Sequence, residues 1–245
     1  MKLHCLGSSS HGNCYICESE TSCLVLEAGV PFMEVKHKLN FEISRIQGMI
    51  LSHPHGDHAK YTKEFLKAAI PCYTSAGTIE ELNIKNPFLR PIQDRKTYII
   101  GEWTIMPFKV KHDTKEPFGY LIKHPESGTF CFITDTSMVP FKFPAINHYL
   151  IECNFSYEIL DNRTMNGNFN AQLRNRIINS HLSLEQCVEI LKENDLSQVN
   201  NIVLLHLSDG NSDEQKFTET LTGQLGRKVK IADKNLTLNL NKYGI

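Results

Sequence analysis

The sequence carries almost no charge bias: 26 Lys+Arg stand against 27 Asp+Glu, a formal net charge of −1 over 245 residues. A chain so balanced does not coat nucleic acid or a membrane surface through bulk charge, although a local basic patch is not excluded. It has no apolar run near the roughly 18 residues of a membrane-spanning helix, and Met1-Lys2-Leu3-His4-Cys5 leads directly into strand-like sequence without a leader pattern. It also lacks repeats, low-complexity tracts and Ser/Gly-rich linkers, so one domain over residues 1–245 is the simplest expectation. Hydrophobic residues at 41% and charged residues at 22% exclude wholesale disorder and a coiled coil, and predict a packed core.

Disulfides are not expected either. Several of the 8 cysteines lie in apolar runs such as Phe130-Cys131-Phe132-Ile133 and Leu150-Ile151-Glu152-Cys153, where a thiol acts as a small core residue. Free thiols in a cytoplasmic protein follow. Cys14-x-x-Cys17 has no second such pair to complete a four-sulfur site. On a strand its thiols fall on opposite faces, which predicts two packed thiols.

Turn residues and period-2 alternation predict strands at Leu3 to Leu6, Cys14 to Glu18, Ser22 to Leu26 and Gly48 to Leu51. Further strands follow near Lys96 to Ile100, Trp103 to Lys111, Gly119 to Lys123, Thr129 to Thr134, His148 to Cys153 and Asn201 to Leu205. Helical spacing marks Pro31 to Leu39, Ala59 to Ala69, Phe155 to Leu160, Phe169 to Ile178 and Ser183 to Glu193. Met106, Phe108, Val110 and His112 share one face of a strand, so His112 ends an apolar face. Ser183 and Gln186 have capping-box spacing, which places His181 just outside a helix N-terminus.

The chain is not short of histidine, with 11. The densest group is His53-x-His55-x-Asp57-His58, on a strand-to-helix loop tightened by Pro54 and Gly56. Imidazole and carboxylate at this density suit first-row metals rather than calcium. Four ligands in six residues cannot all reach one ion, and their alternation predicts His53 and His55 on one metal and Asp57 and His58 on a second.

A strand ending in this motif resembles the metallo-β-lactamase superfamily, and the resemblance extends over nearly the whole chain. It implies a four-layer αββα sandwich with two metals at one edge of the paired sheets. It further implies that His112 completes the first site, Asp135 bridges and His206 completes the second. Several stretches are most similar to the YycJ/WalJ-type branch of DNA exonucleases and related cyclic phosphodiesterases: Gly7-Ser8-Ser9-Ser10-His11-Gly12-Asn13, Lys111-His112-Asp113, Thr134-Asp135-Thr136, Glu152-Cys153-Asn154, Ser180-His181-Leu182-Ser183 and His206-Leu207-Ser208-Asp209-Gly210-Asn211. One departure is Glu27-Ala28-Gly29, where members of the superfamily commonly carry Asp-Ala-Gly; the extra methylene alters the reach of an acid that supports the metal loop.

The resemblance implies a hydrolase holding two divalent ions, Zn, Mn or Fe, which activate water and clamp the oxygens of an in-line displacement on a phosphodiester of DNA, RNA or a cyclic nucleotide. Asp57 is expected to ligate metal and orient the nucleophile, and His181 to contact the scissile phosphate or protonate the leaving oxygen. His11 and Asn154 are candidate substrate contacts. Lys60, Lys63 and Lys67 share a helical face that could track phosphates or simply be solvated, Arg174 and Arg176 are further basic residues before His181, and Tyr61, Phe155, Tyr157 and Phe169 could stack bases or simply fill the core. The same ligand set would also serve a lactone, thioester or β-lactam hydrolase, or a silent protein that keeps metal to hold a nucleotide.

Overall fold

In the computed structural model, residues 1–167 and 170–243 are described. The first half builds a seven-stranded sheet from β1 (Lys2–Ser9), β2 (Gly12–Glu18), β3 (Cys23–Leu26), β4 (Ile46–Ile50), β5 (Cys72–Ser75) and β6 (Leu89–Ile92), and β14 (Thr237–Asn239) returns to pair with β1. The second sheet, also seven-stranded, contains β7 (Tyr98–Ile100), β8 (Trp103–Lys109), β9 (Phe118–His124), β10 (Gly128–Ile133), β11 (His148–Glu152), β12 (Asn201–Leu205) and β13 (Val229–Ile231). Hairpins make β1 to β3 antiparallel, whereas β3 to β6 and β10 to β13 run parallel through longer crossovers.

Both sheets are covered on both faces. Tyr15, Leu24 and Leu26 of one sheet meet Trp103, Tyr120, Phe130, Phe132 and Leu150 of the other in the central core. Helices α1 (Phe32–Lys38), α3 (Thr62–Lys67) and α4 (Ala76–Leu82) cover the outside of the first sheet, and α7 (Leu184–Lys192) and α8 (Glu214–Leu225) cover the second. The result is the αββα sandwich. Each Leu, Ile or Phe buried fully in these layers contributes about 1.5–3 kcal/mol against chain entropy. The strand alternation is visible at Cys14 and Cys17, which pack in the outer and central clusters respectively, and all eight cysteines are free and buried.

Two elements differ instructively from expectation. The helix expected over Ala59 to Ala69 is broken into α2 (Gly56–Ala59) and α3, because the Tyr61 N–H donates to the Ala28 carbonyl at 2.9 Å instead of to its own helix. The helix expected from Phe155 begins later, as α5 (Tyr157–Met165), capped by Ser156, while the Phe155 carbonyl accepts from Leu184 N at 2.7 Å. The next helix, α6, spans Ala171–Ser180; Phe169, expected to begin it, lies outside the described residues. Among the described residues no helix is long and apolar enough to cross a membrane.

Candidate metal centre

β4, β10, β11 and β12 end at the same edge of the sandwich, and β8 stops at Lys109 just short of it. The segments leaving these strands carry His53 to His58, His112, Asp135, Glu152 and His206, residues up to 153 positions apart (206 − 53). The metal loop is pinned from below by the segment after β3. Ala28 N donates to the His58 carbonyl at 2.6 Å, and a Cβ on Gly29 would sit 1.8 Å from the Asp57 carbonyl oxygen, so only glycine permits this approach.

The ligand atoms fall into three groups, each within 4.8 Å, the third of them, Asp135, Glu152, His181 and His206, overlapping the second. His53, His55 and His112 form the first, with His55 Nδ1 and His112 Nε2 3.1 Å apart. Asp57, His58, Asp135 and His206 form the second, in which Asp57 Oδ2 lies 3.2 Å from His206 Nε2 and 3.3 Å from His58 Nε2. Asp135 faces both: its Oδ1 is 3.3 Å from His58 Nε2, and its Oδ2 is 3.8 Å from both His53 Nε2 and His112 Nε2. His53 Nε2 is buried without a hydrogen-bond partner while its Nδ1 pairs with the Ser52 hydroxyl at 2.8 Å. One ring nitrogen held and the other bare is the disposition of a metal-ligating histidine.

The first two groups differ electrostatically. Burial, reinforced by the His58 charge, holds His53 well below the ordinary imidazole value, and burial lowers His112. Burial would also lower His58 and His206, but the carboxylates outweigh it. Asp135, Asp57 and Glu27 hold His58 well above its ordinary value, and Asp135, Asp57 and Glu152 push His206 up to about 10. Burial would raise Asp135, yet the His206 and His58 charges keep it well below the usual carboxylate range. A carboxylate-rich pocket this deep requires positive charge, and divalent ions are suited to replace those protons. Asp135 (φ 23°), His206 (φ 52°) and Glu27 (φ 66°) hold left-handed backbone rare for such residues, a strain borne at the site.

A surrounding set of hydrogen bonds fixes the rings. His112 Nδ1 donates to the Ser180 carbonyl at 2.8 Å, and Asn13 Nδ2 lies 3.1 Å from His58 Nε2. Asn154 is buried, and its amide contacts the His206 Nδ1 at 3.1 Å and donates to the His206 carbonyl at 2.9 Å, so it grips a ring rather than facing the cleft. Glu27 Oε1 accepts from Ser52 N at 3.0 Å, and its Oε2 lies 3.4 Å from His58 Nδ1. Fully buried Glu152 accepts from Thr136 N at 2.9 Å, Leu182 N at 3.1 Å and His181 Nδ1 at 2.6 Å. Sequence reasoning overlooked Asn13 and Glu152 as individual residues; their only signal was membership in the Gly-Ser-Ser-Ser-His-Gly-Asn and Glu-Cys-Asn stretches.

The remaining candidates divide between the cleft and its surroundings. His181 lines the metal cleft with Asp57, His112 and Asp135. His11 instead lines a neighbouring cavity of about 530 Å³ across the β1–β2 turn, together with Tyr61 and Asp209. Lys60, Lys63 and Lys67 are exposed and do not line the cleft. Phe155 is core.

Residues 27–207 match the beta-lactamase superfamily domain. The chain belongs to that family. Among solved structures, the metallo-beta-lactamase fold protein YhfI from Bacillus subtilis superposes with a TM-score of 0.71 at 17% identity, covering 97% of this chain and 99% of that one. Human tRNase Z, short form, gives 0.64 at 15% identity with 98% and 99% covered. A diphosphatase from the PhnP family gives 0.69 at 13% identity with 97% of each chain covered. Likeness at these identities establishes the fold. No curated protein matches the sequence.

Proposed function

We propose that this beta-lactamase superfamily protein is a binuclear metal-dependent phosphodiesterase acting on DNA, RNA or a cyclic nucleotide, of the YycJ/WalJ type. The observation that carries this reading is the Glu152–His181 pair, joined at 2.6 Å on the open side of the shared Asp135. A departing alkoxide needs a proton, and a histidine oriented by a buried carboxylate supplies one. The tRNase Z and diphosphatase neighbours are consistent with phosphate-ester chemistry on this fold.

In this reading His53, His55 and His112 would hold one divalent ion, Asp57, His58 and His206 a second, and Asp135 both. Zn, Mn and Fe all accept such nitrogen and carboxylate ligands. When bound, the ions supply Lewis-acid activation of water and neutralise phosphate charge. Asp57 accepts a hydrogen bond from the attacking water and orients it. Glu152 holds His181 through Nδ1–H and stabilises the protonated ring, and His181 Nε2–H gives its proton to the leaving oxygen. Asn154, Ser180 and Asn13 keep His206, His112 and His58 in place.

The test combines metal analysis with a substrate panel on the same sample. Purified protein should hold close to two equivalents of divalent metal and cleave at least one of single-stranded DNA, RNA or a cyclic oligonucleotide. Asp135→Ala should lose both metal and turnover. Unaltered turnover in that variant would sink the two-metal reading. Cleavage of a lactone, thioester or β-lactam with no phosphodiester cut would move the protein to that hydrolase class, and metal binding without any turnover would make it a binding protein.

A further inference from the structure

We infer that Arg176 anchors the substrate phosphate at the mouth of the metal cleft, with Asp113 as an internal carboxylate that holds its place until substrate arrives; this rests on the phosphodiesterase reading and specifies how the anion is recognised. The cleft has a volume of about 200 Å³, and Arg176 is the one lysine or arginine among the described residues that line it. Three carboxylates, Asp57, Asp113 and Asp135, line the same space. An anionic substrate entering it meets repulsion from these side chains and attraction at Arg176 and the histidines.

The position of Arg176 follows from the helix that carries it. Arg176 precedes Ser180 by four residues on α6, so both lie on one face. The Ser180 carbonyl is fixed to His112 Nδ1 at 2.8 Å, which ties that face to the first histidine group. Arg174 is already engaged: its Nε and Nη2 donate to Asp161 Oδ1 on α5 at 3.0 and 2.7 Å. Of the two arginines before His181, the structure therefore commits one to holding α5 against α6 and leaves the other at the cleft.

Asp113 shows what Arg176 binds. Its Oδ2 is 3.9 Å from Arg176 Nε, and its Oδ1 is 3.1 Å from His112 Nε2 and 3.5 Å from His55 Nε2. An acidic group thus lies between the guanidinium and the first histidine group, where a phosphate oxygen would sit. The pair is loose, beyond hydrogen-bond length and with side chains 69% and 40% exposed, so it contributes little by itself. A phosphate offers the guanidinium a bidentate partner, which is stronger than this contact. Substrate can displace Asp113 from Arg176 by breaking a contact that is exposed on both sides.

The test is calorimetric titration of inorganic phosphate into metal-loaded wild type, Arg176→Ala, Arg176→Lys and Asp113→Asn, with metal content measured on each. Arg176→Ala should bind phosphate about tenfold more weakly at wild-type metal content, since it loses charge-assisted hydrogen bonds. Arg176→Lys should recover part of the loss, and Asp113→Asn should bind about threefold more tightly because the competing charge is gone. Phosphate affinity of Arg176→Ala within twofold of wild type overturns the inference. Turnover of bis(4-nitrophenyl) phosphate against 4-nitrophenyl acetate separates the two claims. Wild type that cleaves only the neutral ester refutes the phosphodiesterase reading, whereas the phosphate titration alone decides the role of Arg176.

Discussion

Replacing Glu152 with glutamine probes the residue that joins the two halves of the proposed machinery. Glu152 ends β11 and is fully buried, and it accepts from the backbone just beyond Asp135 and from both the ring and the following amide at His181. Glutamine has the same shape but keeps one acceptor oxygen. If that oxygen stays on Thr136 N and Leu182 N, the new NH₂ faces the His181 Nδ1–H, donor against donor. His181 must then change tautomer or turn away. Hydrogen bonds to a charged acceptor are each worth about 1.5–3 kcal/mol and neutral ones about 0.5–1.5 kcal/mol, while the lighter desolvation of an amide returns part of the difference. The expected loss is about 2–4 kcal/mol, which a domain of ordinary stability, about 5–15 kcal/mol, survives at 25 °C. Turnover should fall about 10²–10⁴-fold at unchanged metal content, the size of a lost proton donor. Urea denaturation, metal analysis and steady-state rates on one preparation measure all three. Glu152→Asp, which keeps the charge but shortens its reach, should lie between. If Glu152→Gln turns over like wild type at full metal occupancy, the role given to the Glu152–His181 pair is wrong.

Other perturbations test other parts of the structure. Gly29→Ala would force a Cβ to within 1.8 Å of the Asp57 carbonyl oxygen and 2.4 Å of Asn13 N, so the metal loop must shift. Metal content should fall to half or less and stability by about 3 kcal/mol or more; a variant that keeps both shows the approach to be soft. Far from the cleft, burial pushes His148 down to about 4, and its Nδ1 sits 2.9 Å from the Asn201 amide. The unfolded chain binds that proton below about pH 6.5 and the native state only near pH 4, so stability falls as pH drops through this window, by about 3 kcal/mol in all. His148→Gln should flatten the dependence of urea-unfolding free energy on pH between 6.5 and 4. Parallel wild-type and variant curves would show that His148 is not the group responsible.

Much of the sandwich is legible in the order of the amino acids. The alternation that sends Cys14 outward and Cys17 inward, the apolar run of β12 and the capping box of α7 are local, and each reappears where its pattern puts it. Where the pattern fails, a contact from elsewhere in the chain intervenes. Tyr61 gives its N–H to Ala28, 33 residues earlier (61 − 28), and the helix after the metal loop breaks in two. Asn154 follows a strand end and reads as a pocket residue, but the turn of the chain there sends its amide onto His206.

The sequence by itself determined the chemistry available: imidazoles and a carboxylate packed into six residues after a buried strand suit a divalent metal by density alone, and the charge balance argues against a bulk electrostatic binder. It did not contain, in any local pattern, the partners that finish the centre. Asp135 and His206 were marked only by family resemblance, and Glu152 and Arg176 stood out for no site role of their own. Tertiary structure decided their parts, because β4, β10, β11 and β12 deliver their C-terminal ends to one edge of two packed sheets, and spacing along a chain does not encode which strand ends meet. The same packing turned one of two neighbouring arginines toward a helix and the other toward the cleft, a difference that a two-residue step around α6 produces and composition cannot.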